Sequence, residues 1–470
     1  MQIKIALPKG RLLGETAALL EGAGWGLDGY HEKARLYRLK SHKHSGLSAK
    51  IFHEKDVPIQ VAVGNYDMGI CGLDWIEELL VKYPSSALVK VRSLGYGQGT
   101  LHIAASRYGK PLNIEELKTR SDITRIASEY PNLAESFALK LRLRRFSVFP
   151  VWGAAEAYPP ESSDLVLLPE SKNGDVPGCE LVSVSELLGF NAFLVANKTS
   201  WETKDMGELL AAIHETKEAM LTPAIKLEVS EVADWSASVN VDQDTIRLAL
   251  PDGHQQTHTH RLLKKAGIEV DDYPSPTGNR RPTTNIPGVI IKVIRPQDMP
   301  LQVANGNFDL AISGKDWLRE HLYKFPASPV RELLDLRQGK VRMVAVVSKE
   351  LSVSDIAGLR QVSTKWSVPL RVASEYVNIA DKYARDNHLG FYRVIPTWGA
   401  TEAFLPEDAD MLIENTETGQ TIARHNLEII DTLFESTACL IGNNVSLSNP
   451  DKAVKVRIIT EKLRTAVEED

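Results

Sequence analysis

Three cysteines among 470 residues are too few for a disulfide framework, and Cys71, Cys179 and Cys439 lack the paired spacing of a zinc ribbon. No apolar run approaches the roughly 18 residues of a membrane span. The start, Ile3-Lys-Ile-Ala-Leu7, reads directly as a strand and has neither the basic region nor the apolar core of an export signal. Basic residues are in the minority: 55 Lys and Arg against 61 Asp and Glu give a net charge of −6. That balance excludes general affinity for nucleic acid or anionic membrane, while leaving room for a local basic pocket. Low-complexity segments are missing too. Together these absences lead us to expect a reduced, cytoplasmic protein, and 43% hydrophobic with 25% charged residues is an ordinary globular composition.

What the chain does have is a long repeat. Gly64-Asn-Tyr-Asp-Met-Gly-Ile-Cys-Gly-Leu-Asp-Trp75 returns as Gly306-Asn-Phe-Asp-Leu-Ala-Ile-Ser-Gly-Lys-Asp-Trp317. Ala127-Ser-Glu-Tyr130 returns as Ala373-Ser-Glu-Tyr376, Trp152-Gly-Ala-Ala-Glu156 as Trp398-Gly-Ala-Thr-Glu402, and Ala6-Leu-Pro-Lys-Gly10 as Ala249-Leu-Pro-Asp-Gly253. The offset stays between 242 and 246 residues, far longer than a solenoid period, so a whole domain is duplicated. We place the copies at 1–238 and 245–470, joined near Ser236–Asp244. In each, short apolar runs alternate with helical patterns, which predicts parallel α/β units. Strands are expected at Ile3–Leu7, Leu101–Ala105, Ile123–Ala127, Asp164–Leu168 and Asp410–Glu414, and a helix from Leu12 that Gly22 and Gly24 end.

Four segments could carry chemistry. Leu7-Pro-Lys-Gly-Arg-Leu12 joins a strand to a helix; Gly10 permits close backbone approach, and Lys9 and Arg11 bring two cations to a helix start, which suits phosphate. A solvated loop with flanking cations is the plainer alternative. Glu414-Asn-Thr-Glu-Thr-Gly-Gln-Thr-Ile-Ala-Arg424 follows a buried strand, and Gly419 with Thr416, Thr418 and Thr421 could cradle a phosphate or merely cap a helix. His254-Gln-Gln-Thr-His258 has the spacing of a zinc helix, but Gln255 stands where the glutamate base would be. A polar helix face explains it as well. Glu129-Tyr130, Glu156, Glu375-Tyr376 and Glu402 recur in both copies; tyrosine could stack on a base and glutamate could bind ribose or magnesium, or the groups could pack a hinge beside Trp152 and Trp398.

In order, these pieces resemble the catalytic unit of ATP phosphoribosyltransferase, the enzyme that opens histidine biosynthesis. The first copy matches at Leu7–Leu12, Asp56-Val-Pro58, Gly64–Asp74, Leu94-Gly-Tyr-Gly97 and Arg125–Leu133. The second matches at Arg295-Pro-Gln-Asp-Met-Pro300, Gly306–Asp316, Phe434–Ile441 and, above all, Asp410–Leu427, which looks like the family's phosphoribosyl pyrophosphate loop. The resemblance implies two tandem bilobal copies with the α/β fold of type II periplasmic binding proteins, paired as a pseudo-dimer. In each, lobe one would combine the N-terminal stretch with the C-terminal return, and lobe two would be inserted between. It implies attack by N1 of ATP on the anomeric carbon of phosphoribosyl pyrophosphate, with release of pyrophosphate and with Mg2+ held through substrate phosphates. Implied roles are polyphosphate contact for Lys9 and Arg11, a 5′-phosphate cradle from Thr418, Gly419, Gln420 and Thr421, and ribose hydroxyls on Glu414. Gly10, Glu129, Tyr130, Glu156 and Arg295 are the further substrate-binding candidates. A homo-oligomer or a regulatory subunit is compatible with the family's habits.

The departures are complementary. In the first copy, Asp164-Leu-Val-Leu-Leu-Pro-Glu-Ser-Lys-Asn-Gly174 lacks Thr-Gly-x-Thr and has Leu168 in place of Glu414; in the second, Asp252-Gly-His254 replaces Lys-Gly-Arg. One explanation is a single working site to which each copy gives what the other lost. The other is two crippled sites in a protein that senses or regulates by binding.

Overall fold

The computed structural model describes residues 2–31, 37–108, 114–170, 181–213 and 244–469. Four mixed sheets make four lobes. Lobe 1 holds the strands Ile3–Lys9, Arg38–Lys40, Leu47–His53, Met68–Gly72, Leu88–Ser93 and the returning Ala192–Asn197. Lobe 2, inserted between, holds Gly99–Ser106, Thr124–Ser128, Phe146–Pro150, Leu165–Pro169 and Leu181–Phe190. Lobe 3 repeats lobe 1 with Ile246–Pro251, Val289–Ile294, Leu310–Gly314, Val330–Asp335 and the return Ala438–Asn443; lobe 4 repeats lobe 2 with Val341–Ser348, Leu370–Ser374, Tyr392–Pro396, Met411–Thr416 and Leu427–Ser436. Each copy is thus bilobal, with its chain crossing between lobes on the way out and on the way back. The expected connection at 236–243, together with Cys179, lies outside the described residues.

Local chemistry explains the elements. Ile3–Lys9 pairs in parallel with Leu47–His53 and Met68–Gly72, so its apolar residues are covered on both faces, as a central parallel strand requires. The helix after it runs Leu13–Gly22, and Gly24 takes φ +70 just beyond the end, a conformation that costs glycine little. The acid opening each late strand serves the fold: Asp410 accepts from the Arg371 backbone N–H at 2.8 Å and pairs with its guanidinium at 2.9 Å, as Asp164 does for Arg125.

The copies pack with lobe 1 on lobe 4 and lobe 2 on lobe 3. At the first seam Lys50 Nζ reaches Glu407 at 2.8 Å and Asp408 at 2.9 Å, Arg38 donates to the Leu405 carbonyl, and Phe52 meets Phe404 edge-on. At the second, Lys292 Nζ reaches Glu161 at 2.6 Å, Arg281 donates to the Pro159 carbonyl, and Asp298 accepts from the Trp152 N–H at 3.0 Å. The partners correspond under the repeat, so the contact is self-complementary, like that of a two-fold dimer. Among the described residues no helix is long and apolar enough to cross a membrane.

Candidate active site

In the second copy lobes 3 and 4 enclose a cleft of about 510 Å3. Lobe 4 contributes Glu414, Thr418, Gln420 and Thr421; lobe 3 contributes Gln255 and His258 from its first helix, with Trp317 and Leu336. Gly419 turns the loop with φ +74 ahead of the short helix Gln420–Arg424. The loop's own hydroxyls hold its N–H groups: Thr416 Oγ1 accepts from Gly419 at 3.0 Å, and Thr418 Oγ1 from Gln420 at 3.4 Å. A phosphate entering here would take over donors that are already aligned.

Glu402 and Glu414 line this space, and Glu375 lies near enough to feel their charge. Burial, then the charges of Glu402 and Glu375, push the Glu414 carboxyl well above its usual range. Burial and then Glu402 push Glu375 up to about 7. Among the described residues none of the three has an ion pair or a side-chain hydrogen bond. Uncompensated, half-buried acids are poised for hydroxyl donors or a cation. No group of three or more His, Cys, Asp or Glu among the described residues is placed to hold a metal ion by itself.

A second network ties the cleft's lobes together. Asp316 accepts from Tyr376 OH at 2.6 Å and from Ser436 Oγ at 3.0 Å, and Asn415 Nδ2 donates to Tyr376 OH at 2.7 Å. Asp316 also comes so close to Gly314 that a Cβ there would lie 2.0 Å from its Oδ1, which explains that glycine. Asn415 adjoins Glu414, so the network fixes the strand end that presents the acid.

The first copy's cations have different fates. Arg11 donates to Glu54 at 2.9 Å and to Asp74 at 2.6 Å and lies over the Phe190 ring, so its charge serves the hinge between lobes 1 and 2 and not the second cleft. Lys9 is exposed at the seam. Its Nζ donates to Tyr37 OH at 3.0 Å, and Tyr37 stacks on His425, just past the loop helix of the other copy. The corresponding corner of the other seam is closed by ion pairs: Arg280 bridges Glu156 and Asp252, each at 2.7 Å, and Arg295 joins Asp252 at 3.3 Å. Glu156 and Arg295 are therefore held away from the second copy's cleft. Tyr130 is buried against Trp75 with its hydroxyl on Asp74 at 2.7 Å. Glu129 pairs with Lys55 at 3.0 Å beside a separate cavity of about 350 Å3 that Trp152 and Trp398 also line. Gly10 has φ +103 and open space where a Cβ would stand.

The family model for ATP phosphoribosyltransferase matches residues 53–218 and again 295–465. The chain belongs to the ATP phosphoribosyltransferase family. The curated enzyme of Pelotomaculum thermopropionicum is 31% identical over 230 residues, covering 47% of this chain and 73% of that one. That of Chlorobaculum parvum is 32% identical over 229 residues, covering 48% and 72%. Among solved structures, the ATP phosphoribosyl transferase (HisG:HisZ) complex from Thermotoga maritima is 25% identical, covers 48% of this chain and all of that one, and has a TM-score of 0.40. Each curated relative matches about half of this chain, and the double match of the family model follows the duplication. Membership makes this chain a phosphoribosyl-transferring enzyme of histidine biosynthesis.

Sequence reasoning missed Gln255 as a cleft residue, and it raised Glu375 and Glu402 as ribose or magnesium candidates without placing them. The signal for the first was the replacement of Leu12 by Gln255, which reads as drift until the cleft is seen. The two glutamates recur in both copies, and recurrence alone could not tell which pair lies in a cleft.

Proposed function

We propose that the enzyme works through one site, the cleft of the copy at 245–470, completed at its rim by Lys9 of the copy at 1–238. The observation that supports this is the contrast between seams: Arg280 neutralises Glu156 at one, while Glu375, Glu402 and Glu414 have no partner cation at the other. The site that keeps its acids free also keeps the phosphate loop.

In this reading Thr418, Gly419, Gln420 and Thr421 bind the ribose 5′-phosphate and Glu414 accepts from the ribose hydroxyls. The lone pair of adenine N1 attacks the anomeric carbon as the bond to pyrophosphate breaks, and a proton from the N6 amine leaves to solvent. Charge grows on the departing pyrophosphate, which Lys9 faces from the seam. Arg11 is a positioning residue of the first copy. Glu402 and Glu414 line the cleft and would supply one or two oxygen ligands to Mg2+ bound mainly through substrate phosphates, as this ion prefers. When bound, it neutralises charge on the leaving group. No side chain needs to act as an obligatory base, so positioning and electrostatics carry the rate. Cytoplasmic residence accords with a biosynthetic role.

The test is pyrophosphate release with ATP, phosphoribosyl pyrophosphate and Mg2+, omitting each in turn, on the wild type and on Lys9→Met and Thr418→Ala separately. A requirement for both substrates, with both variants impaired, supports the shared site. Impairment by Thr418→Ala alone refutes the sharing, and silence of the folded wild type refutes the activity.

A further inference from the structure

Gln255 occupies the position of Leu12, a buried core leucine of the first copy. It starts the first helix of lobe 3 and lines the cleft across from the phosphate loop. Its Oε1 is buried without a hydrogen-bond partner. A buried acceptor without a donor is unfavourable unless something else supplies one, and such groups call for a ligand. The cleft is lined mostly by polar groups, but Leu262, Trp317, Leu336 and Ala438 also line it and give a flat heterocycle some apolar surface to lie on.

We propose that Gln255 reads the nucleobase and makes the site specific for adenine. This rests on the transferase reading above. A carboxamide matches one edge of adenine in two places: its oxygen accepts from the N6 amine while its nitrogen donates to N7. That edge lies on the far side of C6 from N1, so recognition through it leaves the nucleophilic nitrogen free. The match also strengthens during reaction. As N1 forms its bond to the anomeric carbon, positive charge spreads to N6, and an acceptor already on the N6 hydrogen binds the transition state better than the ground state. Gln255 is thus a specificity residue that also favours attack. Leucine at this position could accept nothing from N6.

The experiment measures binding of ATP and of purine ribonucleoside triphosphate, which lacks the 6-amine, by calorimetry on the wild type, Gln255→Leu and Gln255→Glu. The wild type should prefer ATP by about tenfold to a hundredfold, the usual penalty for leaving one buried acceptor without its donor. Gln255→Leu, whose side chain the first copy accommodates at the same place, should bring the two ligands to parity. Gln255→Glu keeps the acceptor and should retain preference for ATP. An unchanged ratio in Gln255→Leu with an unaltered melting temperature would overturn the proposal, as would parity in the wild type. Binding that discriminates in a wild type releasing no pyrophosphate would refute the transferase reading and leave adenine recognition standing.

Discussion

Tyr37 of the first copy stacks on His425 of the second, with ring centroids 5.0 Å apart and planes 16° apart, and Lys9 donates to the Tyr37 hydroxyl. The stack ties Lys9 of the first copy to the segment that follows the phosphate loop. Burial, more than the surrounding charges, lowers the His425 pKa, so the imidazole stays neutral near pH 7 and does not repel Lys9. Lys9→Met should cut pyrophosphate release about a hundredfold, the low end for losing one stabilising donor, because Lys9 acts from an exposed rim. Because Lys9 is exposed, its melting temperature should stay within about 1 °C of the wild type, an exposed charge being worth little to folding. A loss of stability in step with activity would count against a direct role.

Arg11 predicts the opposite pattern. It sits between Glu54 and Asp74, both buried, with burial raising the Glu54 carboxyl to about 7 against the pull of Arg11. Arg11→Met would leave two acids without their cation, at a cost of roughly 3 kcal/mol. Urea denaturation should register that loss, whereas turnover by the surviving folded fraction should change less than in Lys9→Met. Full stability with abolished turnover would instead return Arg11 to the chemistry.

Glu375 links the site to pH. Burial and then Glu402 raise its pKa from 4.5 to about 7. The folded state therefore holds a proton that the unfolded chain has already released in this interval. Stability from this group is full below about pH 4.5, falls as pH rises toward 7, and levels off above; the slope is at most about 1.4 kcal/mol per pH unit. Glu54, Glu78 and Asp298, each also raised to about 7, add slopes of the same sign, so the informative quantity is a difference. Stability of Glu375→Gln minus that of the wild type should increase between pH 5 and 7. A flat difference would mean that Glu375 is neutralised by something other than a proton.

Much of this was legible in the chain. The repeat declared two copies, and alternating apolar runs placed the strands to within a few residues: Asp164–Leu168 is observed as Leu165–Pro169, and Asp410–Glu414 as Met411–Thr416. The loop around Thr418 could be read because its chemistry is local. The fates of Lys9 and Arg11 could not. The two cations are separated by one residue, yet Arg11 is captured by Glu54 and Asp74, 43 and 63 positions away, while Lys9 turns to a tyrosine 28 positions on. Glu156 was misleading for the same reason, since its guanidinium partner Arg280 comes from across a seam that no spacing reveals, whereas Arg295 is taken by Asp252 of its own lobe. Gln255 has no sequence signature beyond its polarity; what marks it is a buried oxygen with nothing to accept.

The seam itself yields the last prediction. Lys50 is 3% exposed and lies between Glu407 and an equally buried Asp408, which also accepts from Tyr66 OH at 3.0 Å. Burying Lys50 and Asp408 together is tolerable only while they compensate one another. Lys50→Met leaves Asp408 with a neutral hydroxyl as its only described partner, and should destabilise the protein by roughly 3–5 kcal/mol. If the loss comes from the stranded acid and not from packing, adding Asp408→Asn should restore much of it, since an amide beside a methionine carries no charge to solvate. The single variants and the pair, compared by urea denaturation, give the coupling directly. The same series read by pyrophosphate release then asks whether the seam holds the site: Lys50 lies on the strand beside the one that ends in Lys9, so loosening lobe 1 from lobe 4 should lower turnover even in protein that remains folded. Strictly additive stabilities, with turnover untouched in Lys50→Met, would show that the ion cluster neither couples the copies nor positions Lys9.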